Sequence, residues 1–230
     1  MRRIVVSAFV SLDGVMQAPG GPEEDTTGGF AHGGWLAARW EEEIGKVIDE
    51  VFEKPFDLLL GRRTYDIFAA HWPHVEKDPS AEGYDEGGAR IGELFDRITK
   101  FVATHRPDTL AWANSRALGE DVAGALRALK QEEGPDLLVQ GSTEVIQILL
   151  QNGLLDELTL IIAPLLLGKG KRLFGSGTVP AGLELLKSST TPKGTIIARY
   201  RPAGEVETAS FALENPTAEE LERREKMAKS

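Results

Sequence analysis

The sequence predicts an α/β protein: a mixed, mostly parallel sheet with helices on its faces and a C-terminal antiparallel hairpin. Three observations carry this. β-rich runs alternate with helix-spaced segments through most of the chain. Two of those runs pass through a glycine, Gly61 and Gly141, straight into a helical pattern. Two late apolar stretches bracket Thr191-Pro-Lys-Gly194, the punctuation expected between antiparallel strands.

Residues 4–10 are β-branched and aromatic, so they read as a buried strand. Residues 11–34 then turn to Gly, Pro, Asp, Glu and Thr. A loop of that length inside a compact domain is more often functional than idle. Leu36, Trp40, Ile44, Val47, Ile48 and Val51 recur at helical spacing, which predicts a helix over 35–52. Residues 58–60 read as a strand, 62–70 as a helix, 72–88 as a second loop, 91–98 as a short helix and 100–104 as a strand. A helix over 121–132, a strand over 137–140 and a helix over 142–151 follow. The almost wholly apolar run 158–167 suits an interior strand. The hairpin spans 183–189 and 195–201, and 205–213 is expected to add an edge strand. Residues 1–213 read as one domain and 214–230 as a charged C-terminal helix or tail.

Composition narrows the partners. With 230 residues and 41 % apolar content, the chain can bury a sizeable core. A net charge of −10 argues against nucleic acid or an anionic membrane. Any phosphate site must therefore be local. The absence of cysteine removes disulfides and thiolate metal sites. His32 and His71 lack metal-ligand spacing, so no metal site is expected. No stretch approaches the ~18 apolar residues of a membrane span, and the expectation is a soluble, cytoplasmic protein.

Leu58-Leu-Leu-Gly-Arg-Arg-Thr64 is the stretch richest in chemistry. A helix N-terminus has unsatisfied N–H groups and a partial positive charge, so it favours an anion. Arg62, Arg63 and Thr64 add donors suited to phosphate, and Gly61 lets the backbone approach closely. Leu137-Leu-Val-Gln-Gly-Ser-Thr143 repeats the design with Ser142 and Thr143. In a parallel sheet both turns open at the same edge, where one dinucleotide pyrophosphate could span them. Neither turn is a Walker loop or a G-x-G-x-x-G fingerprint. Thr104-His-Arg106 leaves a third strand; if that strand neighbours the one ending at Leu60, Arg63 and Arg106 could converge on a dianion such as the 2′-phosphate of NADP.

Together with Ser11-Leu-Asp-Gly14, Gly61-Arg-Arg-Thr64 and Gln140-Gly-Ser-Thr143, the runs Leu154-Leu-Asp-Glu-Leu158, Pro164-Leu-Leu-Leu-Gly-Lys-Gly170 and Leu173-Phe174 resemble one group. It is the dihydrofolate reductase-like family that includes the reductase domain of the bacterial bifunctional riboflavin-biosynthesis deaminase/reductase. The resemblance covers roughly residues 2 to 201. It implies a three-layer dihydrofolate reductase-like fold, NADPH as hydride donor, and often a homodimer. By position, Gly61, Arg62, Arg63 and Thr64 would contact the cofactor phosphates. Thr104, His105 and Arg106 would hold the adenosine end, and Gly141, Ser142 and Thr143 would cover the pyrophosphate. The loop over 11–34 would be the mobile one that closes over nicotinamide. The chain departs from the family in having Gly141-Ser142 where many members have paired glycines. It also lacks an assignable carboxylate among Glu41, Glu42 and Glu43, which makes folate a poor substrate.

Asp13 reads either as an ordinary turn residue or as a substrate-side catalytic carboxylate that orients substrate or relays a proton. A Glu of 41–43 or water is the alternative proton source. Trp35, Tyr65 and Trp72 could wall an aromatic substrate pocket or serve as core packing. The expected activity is NADPH-dependent reduction of a small heterocyclic or carbonyl/imine substrate. The alternative is a non-catalytic nucleotide- or ligand-binding module on the same fold. The usual zinc deaminase signature needs cysteine, so the complete bifunctional activity is not expected.

Overall fold

The computed structural model describes residues 1–175, 178–212 and 214–229. Within them eight strands form one sheet: β1 (Ile4–Ser11), β2 (Phe56–Gly61), β3 (Lys100–Ala103), β4 (Ser115–Ala117), β5 (Asp136–Val139), β6 (Glu157–Ala163), β7 (Leu183–Thr190) and β8 (Ile196–Pro202). Their spatial order is β4-β3-β2-β5-β1-β6-β8-β7. All neighbours pair in parallel from β4 to β6, and β8 runs antiparallel to both β6 and β7. The expected mixed, mostly parallel sheet with a terminal hairpin is the observed one.

Six helices accompany it: α1 (Glu42–Phe52), α2 (Arg62–His71), α3 (Glu86–Arg97), α4 (Val122–Gln131), α5 (Thr143–Gln151) and α6 (Ala218–Met227). Side chains alternate along a strand, so β1 feeds both faces of the sheet. Ile4, Val6, Ala8 and Val10 pack with Leu126 of α4 and Ile146 and Leu149 of α5. On the opposite face Leu58, Leu60 and Val102 pack with Tyr65 of α2 and Phe95 of α3. Ile161, Ala163 and Ile197 meet Ile44, Val47 and Ile48 of α1 there. Helices on both faces make three layers. Each fully buried aliphatic or aromatic side chain contributes about 1.5–3 kcal/mol through loss of contact with water.

A buried ion pair fixes the start of the chain. Arg2, 5 % exposed, pairs with Asp57 and donates from Nε to the Pro135 carbonyl at 2.6 Å. Its guanidinium lies 5.2 Å from the centre of the Phe101 ring, and Asp57 also accepts from the Thr99 amide at 3.0 Å.

Several elements differ from the sequence expectation. The helix over 35–52 is two pieces, a 3-10 turn at Ala37–Arg39 and then α1. Glu41 between them is extended, because its carboxylate accepts from the Thr191 hydroxyl and the Lys193 amide in the β7–β8 turn. The third helix begins at Glu86 rather than Ile91, since the Asp85 side chain caps it by accepting from the Gly88 amide. Gly92 is required inside it, where a β-carbon would lie 2.4 Å from Val75 Cγ2. β4 was not foreseen: three residues are too few for a periodic signal. No strand forms over 205–212, which is exposed, and Leu213 lies outside the described residues.

Candidate functional site

β1, β2, β3 and β5 all run the same way, so the segments leaving their carboxyl ends collect along one edge of the sheet. A cavity of about 1170 Å³ opens there, lined by residues 16–25 of the β1–α1 loop, the first turns of α2 and α5, Arg106 and Lys171.

The two glycine-headed turns touch. A β-carbon on Gly61 would stand 1.9 Å from Ser142 Oγ and 3.0 Å from Ser142 Cβ. A β-carbon on Gly141 would lie 3.9 Å from the Thr64 hydroxyl. Ser142 holds φ 74° and ψ 83°, a left-handed conformation that costs a side-chain-bearing residue about 1–2 kcal/mol. Neither Gly61 nor Ser142 caps its helix through a side chain, so the first-turn amides of α2 and α5 are left for a ligand.

This contact yields a testable coupling. Gly61→Ala is expected to destabilise the protein by about 1–3 kcal/mol through overpacking. Adding Ser142→Gly removes the clash and the left-handed strain, so chemical denaturation of the double variant should return to the native midpoint or above. Independent, additive losses would show that the two turns are not in contact.

The guanidiniums diverge. Arg62 Nε donates to both oxygens of Asp66 at 2.9 and 3.0 Å, and its Nη1 donates to the Arg106 carbonyl at 3.2 Å and to the Thr109 hydroxyl. Arg106 Nη2 lies 4.0 Å from the same Asp66. β3 does neighbour β2, as the expected convergence required, but the residue that meets Arg106 is Arg62. Arg63 points the other way, to Asp25 in the β1–α1 loop at 3.2 Å. Successive helical residues are about 100° apart, and here that step turns the two adjacent arginines to different partners across the same cavity.

Of the other residues singled out, Thr64, Gly141, Ser142 and Thr143 line the cavity with Arg62, Arg63 and Arg106. Thr104 does not; its hydroxyl accepts from the Arg106 amide and shapes the turn that presents Arg106. His105 is exposed in that turn and stands outside the cavity lining. Trp72 lines the cavity, whereas Trp35 and Tyr65 are buried in the core. Trp35 Nε1 donates to the Gln17 carbonyl at 2.8 Å, and the Tyr65 hydroxyl accepts from the Trp112 amide at 2.8 Å. Both polar ends are thereby satisfied by backbone, as buried aromatics require.

Asp13 is placed away from the cavity lining. Its carboxylate accepts from the Ser11 hydroxyl at 2.6 Å and from the Leu167 and Gly168 amides at 3.1 and 2.8 Å. The Ser11 hydrogen bond, helped by the two amides against the opposing effect of burial, draws its carboxyl down to about 2. A group ionised and engaged in this way ties the β1 exit to the β6 exit and holds no proton at neutral pH. The catalytic reading of Asp13 gives way to its turn reading. Glu41 is held in the hairpin turn, Glu42 pairs with Lys46, and Glu43 lies outside the cavity lining.

The loop over 11–34 is folded onto the protein. Val15, Met16, Gln17, Ala18 and Phe30 are buried, and Val15 bridges to Arg172. The deeper wall of the cavity is apolar and aromatic: Phe9, Ile48, Phe52, Phe68, Trp72 and Phe95. Phe95 stacks on Phe68 with centroids 5.9 Å apart and meets Trp72 edge-on at 5.2 Å. The Ser7 hydroxyl, on a residue 3 % exposed, borders the same cavity with no partner.

Sequence reasoning missed Asp25 and Ser7, and reached Lys171 only through the family resemblance, which implies that its loop lies near the active site or a subunit contact. Asp25 sits in an acidic, glycine-rich loop that reads as solvated. Lys171, after Gly168-Lys-Gly170, reads from its residues alone as loop. Only the alternation of β1, which puts Ser7 on the same side as Phe9, signalled a polar residue facing that way.

The sheet order, the single reversed strand and the ligand edge at the strand ends define a dihydrofolate reductase-like fold. The chain belongs to the RibD C-terminal domain family, which it matches over residues 2–197. The uncharacterized protein YyaP of Bacillus subtilis (strain 168) is 23 % identical over 201 residues, 86 % of this chain and 94 % of that protein. A pyrimidine reductase-like protein from Corynebacterium diphtheriae superposes with a TM-score of 0.56 at 15 % identity, over 89 % of this chain and 93 % of its own. Dihydrofolate reductase from Enterococcus faecalis, complexed with NADP(H), superposes with a TM-score of 0.51 at 14 % identity, over 87 % and 96 % of the two chains. The protein is thus a member of that family, built on a dihydrofolate reductase-like fold.

Proposed function

We propose that this protein is an NADPH-dependent reductase of a small heterocyclic or carbonyl/imine substrate. One observation supports this above the rest: two uncapped helix N-termini touch on the rim of one cavity, with guanidiniums beside them. That donor set fits a dinucleotide pyrophosphate, with Thr64 and Gly141 to Thr143 as its holders, whereas Gly61 lies outside the cavity lining and its open side admits Ser142. Arg62 and Arg106, drawn together by Asp66, suit a 2′-phosphate. Bound there, NADPH supplies hydride.

The chain's own part is position and exclusion of water. Phe52, Phe68 and Trp72 give the cavity an aromatic side suited to a flat substrate, with the buried Phe95 packed against them, and the folded β1–α1 loop covers one side. Asp13 and Glu41 are engaged in structural contacts, so the proton is drawn from solvent water in this reading. The outer strand β7 leaves Leu183, Leu185 and Leu186 exposed, which favours a homodimer. Among the described residues, no helix is long and apolar enough to cross a membrane.

Titration of the protein with NADPH and with NADH, followed by nucleotide fluorescence, tests the reading. NADPH is expected to bind at least about tenfold more tightly. Equal affinity for both nucleotides, or no binding, overturns it. The engagement of Asp13 in turn contacts away from the cavity supports a second reading, a non-catalytic nucleotide-binding module. Tight NADPH binding without turnover of any reducible heterocycle would select that one.

A further inference from the structure

Asp25 belongs to the β1–α1 loop, yet its side chain is only 7 % exposed. Its oxygens accept from the Arg63 guanidinium at 3.2 Å, from the Lys171 ammonium, and from both the hydroxyl and the amide of Thr27. Arg63 and Lys171 also donate to the Thr27 hydroxyl at 2.6 and 2.9 Å. All three charged residues line the cavity. Burial works against the Asp25 charge, but the hydrogen bonds from Lys171, Thr27 and Arg63 outweigh it and hold the carboxyl well below the usual range.

A guanidinium, an ammonium and a hydroxyl around one buried carboxylate form the donor set that phosphoryl oxygens take. The cations come from separate elements, α2 and the segment after β6, and remain 53 % and 36 % exposed while the carboxylate is buried. Their open flanks therefore remain available to a ligand. Arg63 stands next to Arg62 in the first turn of α2, where the proposed cofactor phosphates fall.

We propose that Arg63 and Lys171 form an anion subsite for a phosphoryl-bearing ligand, and that Asp25 fills it internally as the phosphate's surrogate. Ligand and loop then compete for the same two cations. An arriving phosphoryl group releases Asp25, and with it the contacts that tie the β1–α1 loop to α2 and to Lys171. Asp25 sets the affinity of the site, and Lys171 becomes a ligand-binding residue. The inference rests on the reading of the cavity as a phosphorylated-nucleotide site.

Calorimetric titration of the whole chain with inorganic pyrophosphate and with NADPH at low ionic strength tests it. Asp25→Asn, which keeps an oxygen for the Thr27 amide, is expected to bind pyrophosphate about tenfold more tightly than the native chain. Added salt of about 0.5 M should shrink that gain. Lys171→Met is expected to bind pyrophosphate about tenfold more weakly. Unchanged or weaker binding by Asp25→Asn overturns the proposal, and so does native-like binding by Lys171→Met. The second variant alters a partly exposed side chain and decides the matter even if the first does not fold. Native binding of NADPH without any gain in Asp25→Asn would sink this inference and leave the reductase reading standing. A gain on pyrophosphate without native NADPH binding would do the reverse.

Discussion

The double variant Arg62→Ala/Arg106→Ala will bind NADPH about a hundredfold more weakly than the native chain, while affinity for NADH changes by no more than about threefold. Each guanidinium offers a charge-assisted contact worth about 1.5–3 kcal/mol, and partial exposure argues for the lower end. Arg62 also braces the turn that carries Arg106, through the Arg106 carbonyl and the Thr109 hydroxyl. The two single losses should therefore be less than additive when combined. Fluorescence titration of all three variants with both nucleotides measures this. An equal loss for NADH would move the arginines from the 2′-phosphate to the shared pyrophosphate.

Asp57→Ala is expected to cost about 3–5 kcal/mol, enough to lower the melting temperature by roughly 10 °C in a chain of this size. The substitution leaves the Arg2 guanidinium buried without its counter-ion and the Thr99 amide without an acceptor. An unpaired buried charge costs far more than the pair itself contributes. The double variant Arg2→Met/Asp57→Asn should recover part of the loss, since no isolated charge remains. Thermal unfolding at one protein concentration compares the three. A loss below about 1 kcal/mol for Asp57→Ala would mean that the pair is solvated.

What the sequence disclosed follows the range of the interactions involved. The strand–glycine–helix turns at Gly61 and Gly141 were legible because their chemistry is written in a few adjacent residues. Their meeting was legible too, since parallel strands bring their carboxyl ends to one edge. Which arginine faces Arg106 was not legible, because it depends on the phase of α2 against β3. Asp25 was hidden for a similar reason. Its burial is made by Arg63 and by Lys171, the latter 146 residues further on. Asp13 looked ambiguous locally, and the amides that decide its role come from Leu167 and Gly168. The helix over 35–52 was split by a hairpin turn that pulls on Glu41 from the far end of the chain.

β1 precedes every other strand of this sheet along the chain and lies in its interior, between β5 and β6. Ile4 pairs with Leu137, and Val5 with Glu157, so β1 has no sheet neighbour until synthesis has reached β5. Near the other end, β7 pairs only with β8, which follows it in the chain. Such long-range closure makes for slow assembly, because the loops must close before the contacts compensate. A ribosome carrying a half-finished copy therefore displays an apolar ribbon with both edges open, a natural client for chaperones.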